Sequence, residues 1–115
     1  MSEQSAKTPF AVVLTTAGSQ SEAEAIAAAL IDDQLAACVS VFPMQSMYTW
    51  EGKVQHDAEW QLVIKTRLAC FEAIAHKVKA LHSYETPELI ALPIVAGSAE
   101  YLGWMGTQVK GEFMP

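Results

Sequence analysis

The sequence has 115 residues, of which 51% are hydrophobic and 17% are charged, and its formal net charge is −6. This length suits one domain with one core, and the apolar fraction excludes general intrinsic disorder. The negative charge argues against a nucleic-acid partner, because an acidic surface repels phosphate backbones.

The cysteines and the N-terminal stretch bear on the compartment. Cys38 and Cys70 are the two cysteines, and no CxxC motif is present, so no disulfide framework is expected. Residues 1–9 are expected to be a flexible lead-in without the features of a secretory signal. No apolar run reaches the roughly 18 residues that span a bilayer. We therefore expect a cytoplasmic protein without a membrane span, with a single domain over residues 10–115.

The first elements are predicted to be a strand and a helix. An apolar, β-branched run from Phe10 to Thr16 indicates the strand. Ser21 and Glu24 fit a capping box, which predicts that an amphipathic helix follows and continues to about Ala37.

A hairpin is predicted next. A strand from Cys38 to about Trp50 contains Pro43, which is typical of a bend, a bulge or an edge position. Glu51-Gly52 is the predicted turn, because glycine supplies a positive φ angle. The following long strand alternates in character, and its apolar face is expected to consist of Val54, His56, Ala58, Trp60, Leu62 and Ile64.

The second half repeats the pattern with a helix from Ala69 to Leu81, an apolar strand over residues 89–95 and a short helix around residues 101–109. The order β-α-β-β-α-β-α predicts an α+β, ferredoxin-like sandwich with an extra C-terminal helix. Two strands are apolar on both sides, yet two helices cover only one face of such a sheet. We therefore expect the second face to pack against other copies of the chain.

Motifs of several activities known on this topology are absent. The first β–α turn has no thiol pair for a soft metal, and the chain has no Asn and a single arginine, Arg67, which argues against an acylphosphate hydrolase. GxSxG, Walker A and GxGxxG sequences are also missing.

The remaining candidates are scattered single residues. His82 lies at a helix end near Glu85 and Glu88, where it could bind copper or zinc, or could interact with the negative end of the helix dipole. Cys38 is either a small buried hydrophobe or a reactive thiol.

The long strand carries further candidates on its polar face. Glu59 and Lys65 are six residues apart, about 20 Å along a strand, so they cannot pair with each other. They either contact different partners across a cleft or are solvated. Trp50 and the other tryptophans are expected to be packing or interface anchors.

Five segments, in this order and with this spacing, closely resemble the divalent-cation tolerance protein CutA family, and the match extends from Phe10 to about Val109. The segments are Leu35-Ala-Ala-Cys-Val39, Tyr48-Thr-Trp-Glu-Gly-Lys53, Ile64-Lys-Thr66, His82-Ser-Tyr-Glu-Thr-Pro-Glu-Leu89 and Tyr101-Leu-Gly-Trp104. The resemblance implies a homotrimer of ferredoxin-like subunits, similar to PII signalling proteins. It also implies a role in the tolerance of copper and other divalent cations.

The resemblance further implies three copper ligands, a cysteine on the first strand and two adjacent histidines. This chain has Thr15, Leu81 and His82 at those positions, so His82 is the one ligand kept. Threonine is a poor ligand for soft metals and leucine is none.

Together these observations predict a regulatory or protective homotrimer that is not an enzyme and requires no cofactor. Clefts between subunits are expected to bind a small ligand, copper or another divalent cation, with His82 as the metal ligand. The expected cleft-lining residues are Cys38, Trp50, Glu59, Lys65, Tyr84 and Glu88. Two alternatives remain open: a trimeric protein-interaction scaffold without a metal role, and an enzyme with an intersubunit site at Cys38 and His82.

Overall fold

The computed structural model describes residues 8–110. Its elements are β1 (Phe10–Ala17), α1 (Gln20–Asp32), β2 (Cys38–Trp50), β3 (Lys53–Arg67), a 3₁₀ turn (Leu68–Cys70), α2 (Phe71–Leu81), β4 (Ile90–Pro93) and α3 (Ala99–Gln108). The four strands form one antiparallel sheet in the order β2-β3-β1-β4. The predicted α+β, ferredoxin-like fold with an extra C-terminal helix is therefore confirmed.

Two predicted segments fall partly outside the described residues. They are most of the flexible lead-in (residues 1–7) and the end of the single domain (residues 111–115). Within residues 8–110, no helix is both long enough and apolar enough to cross a membrane.

The core lies between one face of the sheet and helices α1 and α2. Its fully buried side chains include Val13, Leu62 and Ile64 from the strands, Ile26 and Leu30 from α1, and Ile74 and Val78 from α2. The helical residues recur at three- and four-residue spacing, which places them on one stripe of each helix. Full burial of an aliphatic side chain of this size contributes about 1.5–3 kcal/mol, so this layer holds the sheet and helices together.

The N-terminus of α1 differs from the prediction. The capping residue is Ser19 rather than Ser21, and the Ser19 Oγ accepts a hydrogen bond from the Glu22 N–H at 3.2 Å. The Glu22 carboxylate in turn accepts a hydrogen bond from the Gly18 N–H at 3.3 Å. The capping box is thus shifted two residues towards the N-terminus from the predicted pair of Ser21 and Glu24.

The C-terminus of α1 also differs, because the helix ends at Asp32 and not near Ala37. Gln34 has a φ angle of 58°, which is the left-handed conformation that terminates helices. The Leu35 N–H donates back to the Leu30 carbonyl oxygen at 2.9 Å. Glycine or asparagine usually occupies such a position, so a glutamine gave no sequence signal for the end.

Strands β2 and β3 extend well beyond the rest of the sheet. They pair from Cys38 opposite Lys65 to Trp50 opposite Lys53, whereas β1 pairs with β3 only as far as Trp60. The hairpin turn has positive φ angles at Glu51 and Gly52, as type I′ turns require. We call the projecting two-stranded part, residues 44–59, the arm.

The arm corrects one part of the alternation prediction. Trp60, Leu62 and Ile64 pack on the helix side, but Val54 is 70% exposed and His56 and Ala58 are exposed as well. Within residues 8–110, these three side chains of the arm are therefore left exposed.

The sheet face opposite α1 and α2, which we call the open face, carries exposed apolar residues. The register pairs Val12 with Leu92 and Leu14 with Ile90 on this face, and Leu92 and Ile90 are each 48% exposed. Strand β4 is shorter than the predicted 89–95 and ends at Pro93. The expectation that other copies cover this face stays a prediction.

Candidate functional site

A cleft of about 560 Å³ lies where β1 ends and the arm continues past it. Its walls come from the end of β1, from the arm and from the segment between α2 and β4. The residues that line it are Thr16, Ser46, Met47, Tyr48, Trp50, Glu59, Tyr84, Glu85, Thr86 and Glu88. Ligand pockets in proteins commonly have volumes of roughly 300–1,000 Å³, so the cleft can hold a small molecule.

Glu59 is the buried carboxylate of the cleft, and it is 8% exposed. Its Oε2 accepts hydrogen bonds from the Tyr84 hydroxyl at 3.0 Å and from the Thr16 hydroxyl at 3.3 Å. Thr16 of β1 pairs with Gln61 of β3, which is two residues from Glu59. The side chains of Thr16 and Glu59 therefore lie on the same face of the sheet, the open face. Oε1 has no hydrogen-bond partner within residues 8–110, which leaves an acceptor for a ligand.

Two tyrosines bring their hydroxyl groups to carboxylates at the cleft. The Tyr48 hydroxyl donates to Asp57 Oδ2 across the arm. Burial of Tyr84, followed by its hydrogen bond to Glu59 and the negative charge of Glu59, raises the pKa of Tyr84 to about 12. The hydrogen bond to Asp57, and then burial, raises the pKa of Tyr48 above its ordinary value. Both phenols therefore remain protonated donors at neutral pH.

His82 contacts both the main chain and the ring of Tyr84. The Nδ1 atom of His82 accepts a hydrogen bond from the Tyr84 N–H at 3.0 Å, so its Nε2–H donates to the Thr16 carbonyl oxygen. The imidazole side chain is fully buried, and its ring lies 4.7 Å from the Tyr84 ring. His82 thus positions the main chain and the ring of Tyr84 against the end of β1.

Glu22 of α1 binds Ser83, which lies between His82 and Tyr84 in the segment between α2 and β4. Its Oε2 accepts a hydrogen bond from the Ser83 N–H at 2.7 Å, and its Oε1 accepts one from the Ser83 hydroxyl at 3.1 Å. Burial raises the pKa of Glu22, but the hydrogen bonds from Ser83 and Gly18 and the nearby His82 outweigh it and lower the pKa overall. A Cβ atom at Gly18 would lie 3.3 Å from the Tyr84 hydroxyl, so the close approach favours glycine there.

The donor set does not fit a preformed copper site. Both ring nitrogens of His82 are hydrogen-bonded to main-chain groups, so copper coordination would break at least one of these bonds. Thr15 is buried, and its hydroxyl has no hydrogen-bond partner among residues 8–110, whereas Leu81 is exposed and apolar. Across the described part of the chain, no group of three or more His, Cys, Asp or Glu side chains is arranged to hold a metal ion.

The structure brings together five of the seven predicted site residues. Trp50, Glu59, Tyr84 and Glu88 line the cleft, and His82 lies directly behind it. Their role in binding stays a prediction.

Cys38 and Lys65 lie elsewhere in the single chain. They face each other across β2 and β3, six residues along the strand from Glu59 and so about 20 Å away. The Lys65 Nζ lies 5.9 Å from the centre of the Tyr101 ring. Their place in a cleft between subunits stays a prediction.

Further residues of the site were not identified from the sequence, among them Thr16, Glu22, Tyr48 and Asp57. The two-residue period of a strand could have indicated two of them, because it places Tyr48 on the face of Trp50 and Asp57 on the face of Glu59. The fold and this cleft define a ferredoxin-like protein with an acidic, aromatic cleft at one end of its sheet.

Known proteins are similar to this chain in both sequence and fold. The profile of the CutA1 divalent ion tolerance protein family matches residues 11–108. Divalent-cation tolerance protein CutA of Thermus thermophilus is 46% identical over 95 residues, which are 82% of this chain and 92% of that protein. The crystal structure of CutA1 from Oryza sativa has a TM-score of 0.87 at 43% identity, and covers 92% of this chain and 98% of that chain.

A longer plant relative matches as well. Protein CutA 1, chloroplastic, of Oryza sativa subsp. japonica is 44% identical over 111 residues, which are 96% of this chain. The match spans 63% of that protein, which is less than two thirds of its length. The chain belongs to the CutA1 divalent ion tolerance protein family.

Proposed function

We propose that the protein is a cytoplasmic, homotrimeric regulatory or protective protein that binds a small ligand in the Glu59 cleft and so contributes to tolerance of divalent cations. One observation carries the proposal: a carboxylate that is 8% exposed keeps one free oxygen at a cleft of about 560 Å³. A buried carboxylate is normally satisfied by several hydrogen bonds, so a free oxygen at a cleft favours an exogenous donor. Family membership supports the link to divalent cations.

The proposed activity is binding, without catalysis and without a required cofactor. An enzyme built on Cys38 and His82 is less well supported by the geometry. Cys38 lies opposite Lys65, far along the sheet from the cleft, while both nitrogens of His82 are hydrogen-bonded to main-chain groups. A nucleophile needs its base within hydrogen-bond reach, and these two side chains do not offer that arrangement within one chain.

Growth in copper tests the proposed function directly. A host strain that lacks its own CutA would be complemented with the wild-type chain, with Glu59→Gln and with Glu24→Gln as a matched control. Glu24 lies on α1 and accepts one exposed hydrogen bond from Gln20. We expect the wild type and Glu24→Gln to restore growth at raised Cu(II), and Glu59→Gln to fail. Full restoration by a folded Glu59→Gln protein would show that the cleft is not the functional site.

A calorimetric titration with Cu(II) tests the alternative in which His82 captures the metal. Micromolar binding of copper corresponds to about 8 kcal/mol. We expect that His82 does not contribute to any copper binding of this strength. His82→Ala would be compared with His76→Ala, which removes an exposed imidazole from α2. If wild type and His76→Ala bind copper tightly and His82→Ala does not, direct metal capture replaces the small-ligand proposal.

The open face and the arm support the proposed trimer. An isolated two-stranded ribbon is only marginally stable in water, and large exposed apolar patches are typical of interfaces. Trp50 is 58% exposed on the arm, and Ile90 and Leu92 are 48% exposed on the open face. Light scattering coupled to size exclusion should therefore give three times the 12.5 kDa chain mass. A mass equal to the single chain at micromolar concentration would contradict the trimer.

A further inference from the structure

We propose that residues 83–88 form a lid, whose closed position is one wall of the Glu59 cleft and whose open position lies in a groove beside α2. The segment connects α2, which ends at Leu81, with β4, which begins at Ile90. The inference rests on the proposed function, because it adds control of access to the same cleft.

The lid is held by side chains rather than by main-chain pairing. Within residues 8–110, none of residues 83–88 makes a hydrogen bond between two main-chain groups. Four hydrogen bonds from Ser83 and Tyr84 hold the lid instead, and their acceptors are the side chains of Glu22 (twice), His82 and Glu59. Segments without main-chain pairing open locally at low free-energy cost, so the lid can open when these four bonds break.

Both ends of the lid are attached to the core. His82 precedes the lid, and its N–H donates to the Val78 carbonyl oxygen at 2.9 Å while its imidazole is fully buried. Leu89 follows the lid and packs against the core. The exposed residues between these two points, among them Tyr84 and Glu85, can therefore move as one short segment without disturbing the helix or the sheet.

Empty volume lies on both sides of the lid. The cleft of about 560 Å³ lies on one side, and a groove of about 460 Å³ lies on the other. Glu85 and Thr86 line both of them, and the opposite wall of the groove consists of Phe71, Ala75 and Lys79 of α2. A segment enclosed at the density of a protein interior could not move, whereas this one has space on either side.

The lid is expected to open towards the groove. The groove lies beside α2 on the helix side of the sheet, so this movement needs neither the open face nor the arm, where we expect other copies to pack. Lys79 and Glu85 line the groove with opposite charges, so their attraction favours movement towards α2. An open lid would take Tyr84 away from Glu59 and would join the cleft to the groove.

Hydrogen exchange of single amides, followed by NMR on the assembled full-length chain, tests the lid. The Ser83 and Tyr84 amides report on the lid, and the Ile64 amide of the central strand β3 reports on global unfolding. Each rate would be measured at one pH in increasing urea below the unfolding transition, since local opening exposes little surface and responds weakly to urea. The variants are Glu22→Ala and Tyr84→Phe, with Glu24→Ala as the matched control for Glu22→Ala.

We expect the Ser83 and Tyr84 amides to exchange at least tenfold faster than the Ile64 amide, at rates that do not depend on urea. The decisive comparison is at the bond that each variant leaves intact. Glu22→Ala should speed the Tyr84 amide at least tenfold, although Glu22 is not its acceptor. Tyr84→Phe should speed the Ser83 amide at least threefold, and this comparison decides alone if Glu22→Ala does not fold. Glu24→Ala should change neither amide.

The methyl group of Ala75 tests the direction of opening. It lies on the wall of the groove, so its NMR resonance should shift in Glu22→Ala as the lid enters the groove. The methyl group of Ala73 is exposed on the same helix and does not line the groove, so it should not shift. An unchanged Ala75 resonance would overturn the groove as the open position.

Two results would overturn the lid. Exchange of the Ser83 and Tyr84 amides at the urea-dependent rate of Ile64 would show that the segment opens only when the whole protein unfolds, as it would if another copy held it. Unchanged rates at the intact bonds would show that the segment does not open as a unit. Neither result bears on growth of the Glu59→Gln strain in copper, which makes no assumption about a lid. If Glu59→Gln restores growth while the amides behave as expected, the proposed function fails and the lid stands.

Discussion

Replacement of Glu22 by glutamine tests how the segment behind the cleft is held. The Glu22 carboxylate accepts three hydrogen bonds, from the Ser83 N–H at 2.7 Å, from the Ser83 hydroxyl at 3.1 Å and from the Gly18 N–H at 3.3 Å. In Glu22→Gln, one oxygen becomes an NH₂ group. The remaining oxygen keeps the bond to the Ser83 N–H, and the rotatable Ser83 hydroxyl adapts, but the Gly18 N–H loses its acceptor.

The size of the effect follows from these bonds. A hydrogen bond to a charged group contributes about 1.5–3 kcal/mol to stability, and a neutral bond about 0.5–1.5 kcal/mol. Loss of one charged bond and weakening of another amount to about 2–4 kcal/mol. The Glu22 side chain is 17% exposed and Gly18 lies at the surface, so water offsets part of the loss. We therefore expect the free energy of unfolding to fall by about 2 kcal/mol.

The stabilising contribution of Glu22 depends on pH. Because the pKa of Glu22 is lowered in the folded protein, its contribution is present above the pKa of an unfolded glutamate and is lost as pH falls through the lowered value. A protonated Glu22 resembles a glutamine. The stability difference between wild type and Glu22→Gln should therefore be largest at neutral pH and should close in acid.

Urea unfolding at fixed protein concentration measures both effects, since the stability of an assembled protein depends on concentration. Glu24→Gln is the matched control on the same helix, and we expect it to cost less than about 0.5 kcal/mol, as a surface substitution does. Equal losses in Glu22→Gln and Glu24→Gln, or a Glu22→Gln deficit that persists undiminished in acid, would refute the reasoning.

The remaining predictions concern a titration and two glycines. In an alkaline absorbance titration, the wild type should contain a phenol that titrates at about 12 and that Tyr84→Phe lacks, because the contact with Glu59 favours the neutral phenol. The stability from this contact should be complete below the ordinary tyrosine range and lost as pH rises towards about 12; no late step in the wild type would contradict this. Gly52→Ala should cost about 1 kcal/mol in urea unfolding, since alanine strains at the φ angle of 79°. Gly103→Ala should stabilise α3 by about 0.5–1 kcal/mol, because no other part of residues 8–110 lies within 4 Å of the added Cβ. Equal effects at both glycines would contradict the argument.

Local signals were sufficient for the hairpin. The predicted strand from Cys38 to Trp50 has the observed bounds, because a two-residue period precedes a turn that needs positive φ angles. Pro43 lies within β2, opposite Trp60, and β2 is an edge strand of the sheet, where a missing N–H is tolerated. The same signals could not show how far β1 would accompany β3, so the exposure of the arm was not predicted.

Competing local signals explain the error at the start of α1. Ser19 with Glu22 and Ser21 with Glu24 are overlapping patterns of the same capping box. The sequence alone does not choose between them. In the folded chain, Glu22 also accepts two hydrogen bonds from Ser83, so a contact across 61 residues favours the first pattern. Tertiary contacts of this kind override local preference.

The cleft was predictable only in part, because its residues come from three distant regions. Tyr84 and Glu88 belong to a segment recognisable from its sequence, and Glu59 and Trp50 share a face of the hairpin. The hydroxyl of Thr16 completes the site only because β1 pairs with β3 in the observed register. Cys38 and Lys65 share the open face with Glu59 but are separated from it by the rise of the strand.

His82 is connected through Tyr84 to Glu59, so coordination of a metal ion by His82 would affect the cleft. The hydrogen bonds that occupy its two nitrogens are those that attach Tyr84 to the end of β1. Tyr84 in turn donates to Glu59, so the cleft depends on an imidazole that remains bound to the main chain. Copper coordination through Nε2 would break the bond to Thr16, and coordination through Nδ1 would break the bond to Tyr84, so either would weaken the attachment of Tyr84 to the end of β1. In this chain, metal capture at His82 would therefore oppose the proposed ligand binding at Glu59. Threonine and leucine at the two companion positions that the resemblance implies, Thr15 and Leu81, favour the cleft.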